Sequence, residues 1–339
     1  MGTGAGRGPT ARRRPTQADV ARRAGVSPSI VSSVLNGRQY GNIRISQSTR
    51  ERVQAAIREL GYAPNLAARG LAGGANKLLG VFTFQRLFPT SQDDFFYEFL
   101  VGIEEEAEET GFNLLLLTAA KDAQGRRSLY PQGTNGMQLA DGGVLIGWDE
   151  RPDEIRRLSE EGFPFVFLGR RDYPGLELSY VAADYAGATA DLTGRVLAAG
   201  RSPALVDTVG HVEPAPGRLV GYRQAMAQAG RPERVLTVAQ TAEAPELSEL
   251  LEQVRQAQID TLLVENARLA EVLEEAAGRS GVEILCLGGA PDPEQERGRR
   301  GLRIPRRQMG REAVRLLTRL LTEAGSAPLR TTLPCEITY

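Results

Sequence analysis

The chain has 339 residues, with 41 basic and 42 acidic side chains, 41% hydrophobic residues, one histidine and two cysteines. That length exceeds one ordinary domain and allows a substantial core, and no run of 18 apolar residues predicts a membrane-spanning helix. His211 is the lone histidine, Cys286 and Cys335 stand in separate apolar stretches, and Lys77 and Lys121 are the two lysines. This leaves no Ser-His-Asp set, HExxH or CxxC, so an enzyme, a metal site, a disulfide and a cofactor are not expected.

The near-neutral total conceals an asymmetry. Residues 1–77 hold 13 basic side chains against 3 acids, a net +10, while the remaining 262 hold 28 against 39, a net −11. A basic module on an acidic body is the electrostatic footprint of nucleic-acid binding, because neutralising phosphates releases counterions. Residues 1–15, with Arg12, Arg13 and Arg14, read as a disordered basic tail. The tail lacks the apolar stretch of a secretory signal, and a cytoplasmic protein is expected.

Residues 16–63 read as a helix-turn-helix followed by a third helix. Thr16 caps the first helix, with Asp19 in the capping-box position. Ala21, Gly25 and Val31 supply the close crossing, the tight turn and the branched apolar lock that the motif needs. Ser27 caps the second helix and Pro28 sits in its first turn. Ser46 caps the third helix, Val53, Ile57 and Leu60 form its apolar stripe, and Gly61 ends it. Residues 64–76 read as a short hinge helix and a linker, AGGAN, over 72–76.

DVARRAGVSPSIVSSVLNG, TRERV and ELGYAPNLAARGLAGG resemble the DNA-binding headpiece of the lactose-repressor (LacI/GalR) family of bacterial transcription regulators. The resemblance covers about sixty residues in the right order. It implies that the second helix reads the major groove of a near-palindromic double-stranded operator through Pro28, Ser29 and Ser33. These small residues would give weak direct readout. Ser27, Ser32, Asn36, Ser46, Thr49, Tyr62 and Asn65 match phosphate-contacting positions, and Thr16, Ala68, Arg38 and Arg44 are further DNA candidates. The last two stand on a long 37–45 connection, with Tyr40. Leu71 matches the leucine that wedges into the minor groove when two hinge helices pair.

After the linker, apolar strands alternate with helices. Strands are predicted at 78–84, 112–118, 142–147, 163–169, 180–184, 204–209, 235–239, 261–266, 283–288, 302–305 and 332–339. Helices are predicted at 95–111, 152–162, 185–199, near 217–229, and at 245–257, 267–279 and 307–323. This alternation indicates parallel sheets wrapped by helices. The resemblance implies the same thing, a two-lobed periplasmic-binding-protein-like α/β body over 77–339. Lobe 1 is expected over 77–179 and 306–327, and lobe 2 over 180–305 and 328–339, with crossings near 178–180, 304–308 and 326–330. No leucine-heptad segment follows the last strand, so a homodimer is the expected assembly.

Ligands of open α/β sheets bind beyond the carboxyl ends of strands. That places Gln85, Arg86, Trp148, Arg170, Arg171, Asp184, Asn266 and the 288–292 loop at an interlobe cleft. The resemblance implies that Arg218, in GRLVGYRQAM, is the effector-contacting arginine, and that Arg170 and Asn266 match family effector positions. Phe95 and Phe96 match an aromatic pair at the cleft mouth, and Trp148 is placed to stack on a ligand ring. Two departures stand out. Ala267 follows Asn266 where the family has aspartate, and Ala290 and Pro291 replace an acidic pair, with Asp292 nearby. Two cleft arginines without those acids would suit an anionic sugar derivative. The expected function is a transcription repressor controlled by a small-molecule effector, with an activator or corepressor-dependent regulator as the alternative. A nucleotide-dependent α/β enzyme is remote, because no GxGxxG follows a strand and no Walker loop is present.

Overall fold

The computed structural model describes residues 15–36, 45–63, 75–88, 95–147, 151–208, 215–239, 244–278, 280–288, 299–323 and 327–339. Arg38, Tyr40, Arg44, Asn65, Ala68, Leu71, Trp148, His211, Ala290, Pro291 and Asp292 lie outside the described residues, as does the side chain of Asn36. The chain divides into two compact units, residues 1–76 and 77–339.

In the first unit, α1 (Gln17–Ala24), α2 (Pro28–Asn36) and α3 (Gln47–Leu60) follow the predicted boundaries. The backbone N–H of Asp19 donates to the Thr16 hydroxyl at 3.3 Å, and the N–H of Thr16 donates back to the Asp19 carboxylate at 2.9 Å. This reciprocal cap satisfies two donors that a helix start leaves open. Gly25 and Gly61 end α1 and α3 at φ 66° and 61°, a left-handed conformation that costs glycine least. Val20, Ala21, Ala24, Val31, Val53 and Ala56 form the buried core.

The second unit contains two six-stranded sheets among the described residues. The first runs in the order β11 (Arg330–Leu333), β5 (Tyr180–Ala183), β4 (Phe165–Leu168), β3 (Gly142–Ile146), β1 (Leu78–Thr83), β2 (Asn113–Leu116). Every pairing in it is parallel. Strands buried on both faces read as continuous apolar runs, as GGVLI and FVFL do. Side chains alternate between faces. Val81, Val144, Val166 and Val181 pack with Phe99 and Ile103 of α4 (Tyr97–Thr110) and Met309 and Ala313 of α10 (Arg306–Thr322). Phe82, Leu145, Phe165 and Phe167 pack with Ile155 and Leu158 of α5 (Pro152–Glu160). The β2-to-β3 crossover has only a short 3-10 turn, Pro131–Gly133, and it covers this second face with Leu129, Tyr130 and Met137.

The second sheet runs β12 (Glu336–Thr338), β10 (Gly301–Arg303), β9 (Glu283–Cys286), β8 (Thr261–Val264), β6 (Pro203–Thr208), β7 (Val235–Val238). Its pairings are parallel except β10 with β12. Leu205, Leu263 and Leu285 share a core with Leu192 of α6 (Tyr185–Ala198) and Tyr222 of α7 (Ala215–Gln228). Val206, Leu262 and Val264 share one with Val254 of α8 (Ala244–Gln256) and Leu273 of α9 (Ala267–Ala277).

The lobe boundaries differ from expectation. Residues 180–183 and 330–333, assigned by sequence to lobe 2, pair with each other in the first sheet. The N–H of Tyr180 donates to the Leu329 carbonyl at 3.0 Å, and that of Asp184 to the Leu333 carbonyl at 2.8 Å. The crossings therefore follow Ala183, lie between Arg303 and Arg306, and fall between Leu333 and Glu336. The predicted strand 332–339 divides at Pro334, which lacks an N–H for a ladder, so its two halves serve different sheets.

Candidate functional site

On α2, Ser27, Pro28 and Ser29 are exposed and Ser32 is half-buried. Ser33, expected on the reading face, is buried, and its hydroxyl donates to the Ser29 carbonyl at 3.0 Å. The second half of the helix dips toward the core beside Val31, and a buried hydroxyl is satisfied by bonding back along its own helix. The Ser46 hydroxyl accepts from the Thr49 N–H at 3.2 Å and so caps α3, and Tyr62 packs on the headpiece core. Gln17, absent from the sequence expectations, donates to the Pro28 carbonyl at 3.1 Å and ties the start of α1 to the start of α2. Arg22, Arg52 and Arg58 are exposed.

In the body, the carboxyl ends of β3, β4 and β5 and the starts of α6 and α7 surround a cleft of about 450 Å³. The size suits a small ligand, and the position is the one that parallel sheets favour. Phe95, Arg170, Asp172, Asp184, Tyr185 and Val220 are among its lining residues. Asp184 also caps α6, accepting from the Gly187 N–H at 2.9 Å. Phe96 does not line the cleft. It is buried at the start of α4, edge-on to Phe95 with ring centroids 5.4 Å apart. Arg171 is buried and turned back onto the carbonyls of Arg170 and Gly147, which stitches the ends of β4 and β3 together. Asn266 is not in the cleft wall. Its side-chain oxygen accepts from the N–H groups of Arg268 (2.9 Å) and Leu269 (3.2 Å) and caps α9. Gln85 is engaged with Thr83, at 3.0 Å between side chains.

Arg218 lies just behind the wall formed by Gly217, Val220 and Tyr185. It is 5% exposed. Its Nε donates to the Leu287 carbonyl at 3.1 Å, and Nη1 lies 3.4 Å from Oε1 of Glu265. The guanidinium carbon stands 4.4 Å from the Tyr185 ring centroid. Gly221 fixes this arrangement, because a Cβ there would meet the Ala186 carbonyl oxygen at 2.1 Å. Only glycine lets α7 approach α6 closely enough to set Arg218 over Tyr185, the first residue of α6.

Glu265 was not anticipated from the sequence. It is 3% exposed at the end of β8, and burial pushes its carboxyl up to about 7. A hydrogen bond with the Asp207 carboxyl at the end of β6 adds to this rise, while Arg218 opposes it. Two carboxyl groups sharing a hydrogen bond hold a proton between them. An acid directly after the apolar run TLLV was the available signal, because a side chain there must be buried and paired, or exposed at the sheet edge. Arg306 was also missed. It is buried, donates to the Gly288 carbonyl at 2.5 Å, and lies 5.2 Å from the Phe95 ring. It thereby joins a cleft aromatic to the chain leaving β9.

One of the two arginines behind the expectation of an anionic ligand is engaged inside the protein. Arg218 is already paired there, and Asp172 and Asp184 stand on the wall with Arg170 and Arg171. Burial raises both thiols, Cys335 to about 12, and both are free. Such thiols are poor nucleophiles and poor metal ligands. Among the described residues no cluster of His, Cys, Asp or Glu is arranged to hold a metal, and no helix is long and apolar enough to cross a membrane.

A helix-turn-helix headpiece joined to a two-lobed α/β body is the architecture of a DNA-binding regulator. The family described as bacterial regulatory proteins, lacI family, matches residues 16–65, and periplasmic binding proteins and sugar binding domain of LacI family matches residues 84–289. The chain belongs to the LacI family of DNA-binding transcription regulators. The HTH-type transcriptional regulator CelR of Thermobifida fusca is 30% identical over 345 residues, 96% of this chain and 97% of the relative. A solved CelR–cellobiose complex is 25% identical with a TM-score of 0.59, covering 96% of this chain and 99% of that one. The lac repressor dimer bound to operator and the anti-inducer ONPF is 21% identical with a TM-score of 0.71, covering 96% and 98%.

Proposed function

We propose that this regulator is a homodimeric repressor whose affinity for a near-palindromic operator is controlled by a neutral sugar bound in the cleft. The observation that carries the reading is the pairing of aromatic faces, Phe95 and Tyr185, with two carboxylates, Asp172 and Asp184, around about 450 Å³. Aromatic rings pack against the apolar faces of sugar rings, and carboxylates accept hydroxyl hydrogen bonds. The volume falls within the 300–1,000 Å³ range of small-molecule sites. The CelR relative, solved with cellobiose, supports a neutral disaccharide as the first ligand to test.

On the DNA side, Pro28 and Ser29 of α2 face the major groove, and Thr16, Ser27, Ser32, Ser46, Thr49 and Tyr62 contact the DNA backbone. Small groove-facing side chains shift specificity toward the hinge, where Leu71 is the proposed wedge. The test is a thermal-shift panel on the full chain. Cellobiose and other neutral disaccharides should raise the melting temperature, and Asp184→Asn and Tyr185→Ala should each weaken that rise. A panel in which no neutral sugar stabilises the protein would refute the sugar reading.

A further inference from the structure

The Arg218 fork is built to recognise a carboxylate or phosphate. Here it meets a carboxyl belonging to the chain itself. Arg218 and Glu265 are both buried, 3.4 Å apart, and Asp207 lies behind Glu265 in hydrogen-bond contact. One cation thus faces two carboxyl groups.

We propose that Glu265 is a specificity-determining residue of the cleft: from inside the protein it takes the place at Arg218 that an anionic ligand's carboxylate or phosphate would take, and so restricts the site to neutral sugars. The proposal rests on the reading of the cleft as the effector site. The guanidinium sits against the inner side of Tyr185, and Tyr185 and Gly217 line the cleft, so Arg218 is one side chain away from a bound molecule. An anion reaching it must displace Glu265 and leave a carboxyl buried without its cation, a costly arrangement. A neutral polyol needs no such displacement.

The experiment compares wild type, Glu265→Gln and Glu265→Gln/Arg218→Ala in the full chain, by melting temperature and titration calorimetry. The probes are inorganic phosphate, glucose 6-phosphate, glucuronate and cellobiose. Wild type should take cellobiose and show no saturable binding of the three anions. Glu265→Gln should gain at least tenfold in affinity for glucose 6-phosphate and glucuronate and become stabilised by phosphate, and the added Arg218→Ala should abolish that gain. Glu265→Ala provides the same readout should Glu265→Gln fail to fold. Anion binding by wild type equal to that of the variant, or no gain in either Glu265 variant, overturns the proposal. If cellobiose and its neutral relatives bind nowhere but the anion gain appears and needs Arg218, the role of Glu265 stands and the sugar reading falls.

Discussion

The Arg218 guanidinium lies 3.4 Å from the Glu265 carboxyl, and the two side chains are 6% and 3% exposed. This contact joins the start of α7 to the end of β8 and sits directly behind the Tyr185 wall of the cleft. An arginine read from sequence as the ligand's partner is therefore also a structural partner. The chemistry of the site depends on an acid that contributes no surface to the cleft.

Glu265 makes stability depend on pH. Its folded value of about 7 exceeds the ordinary 4.5. Between those values the folded state holds a proton that the unfolded chain has released, so stability falls as pH rises from about 4.5 to about 7 and then levels. The effect is of order 3 kcal/mol. Burial of Glu265 is the main cause, with Asp207 from β6 adding to the rise and Arg218 from α7 opposing it. Denaturant melts of wild type and Glu265→Gln across pH 4.5–8 should show wild type losing stability relative to the variant over that window. A difference that stays flat with pH contradicts this assignment.

Arg218→Ala should destabilise the body by about 3 kcal/mol at pH 8, because it leaves Glu265 buried without its cation. At pH 5, where Glu265 is protonated, the cost should be distinctly smaller. Urea unfolding at the two pH values measures both, and equal losses would show that Arg218 acts through packing alone.

Gly221→Ala places a methyl group against the Ala186 carbonyl, where a Cβ would lie at 2.1 Å. Separating α6 from α7 should cost about 1–3 kcal/mol and move Arg218 off Tyr185. The check is a lowered melting temperature together with weakened cellobiose binding. A variant as stable as wild type would mean that the crossing is not tight.

The headpiece carries a net +10 over residues 1–77. Operator affinity should therefore fall steeply with salt, with a log–log slope of magnitude about 5–10 for a dimer. Anisotropy titrations from 50 to 200 mM salt give the slope directly, and a nearly flat line would remove the electrostatic account.

The headpiece was legible because its signals are local: Thr16 with Asp19, Gly25, Ser46 and Gly61 each declare a helix end within a few residues. The α/β alternation of the body was legible for the same reason. Sheet membership was not, since YVAA at 180–183 and RTTL at 330–333 read as strands equally well in either lobe. Ser33 and Phe96 were misjudged because helix position alone does not say which side of a helix meets a neighbour. Asn266 was read as a ligand contact, yet a single asparagine before a helix serves equally as its cap. Glu265 escaped because its partners, Asp207 and Arg218, lie 58 and 47 positions away in sequence. Only the folded sheet brings them together.

On the proposed function, a neutral sugar in the cleft controls DNA binding. The most direct measurement is operator affinity, on a site selected from random duplexes, with and without saturating neutral disaccharide at fixed salt. The protein should bind a near-palindrome tightly and at least tenfold more weakly once the sugar is added, and an Asp184→Asn variant should bind the operator normally but respond less. Operator affinity unchanged by every neutral disaccharide that stabilises the protein would contradict it.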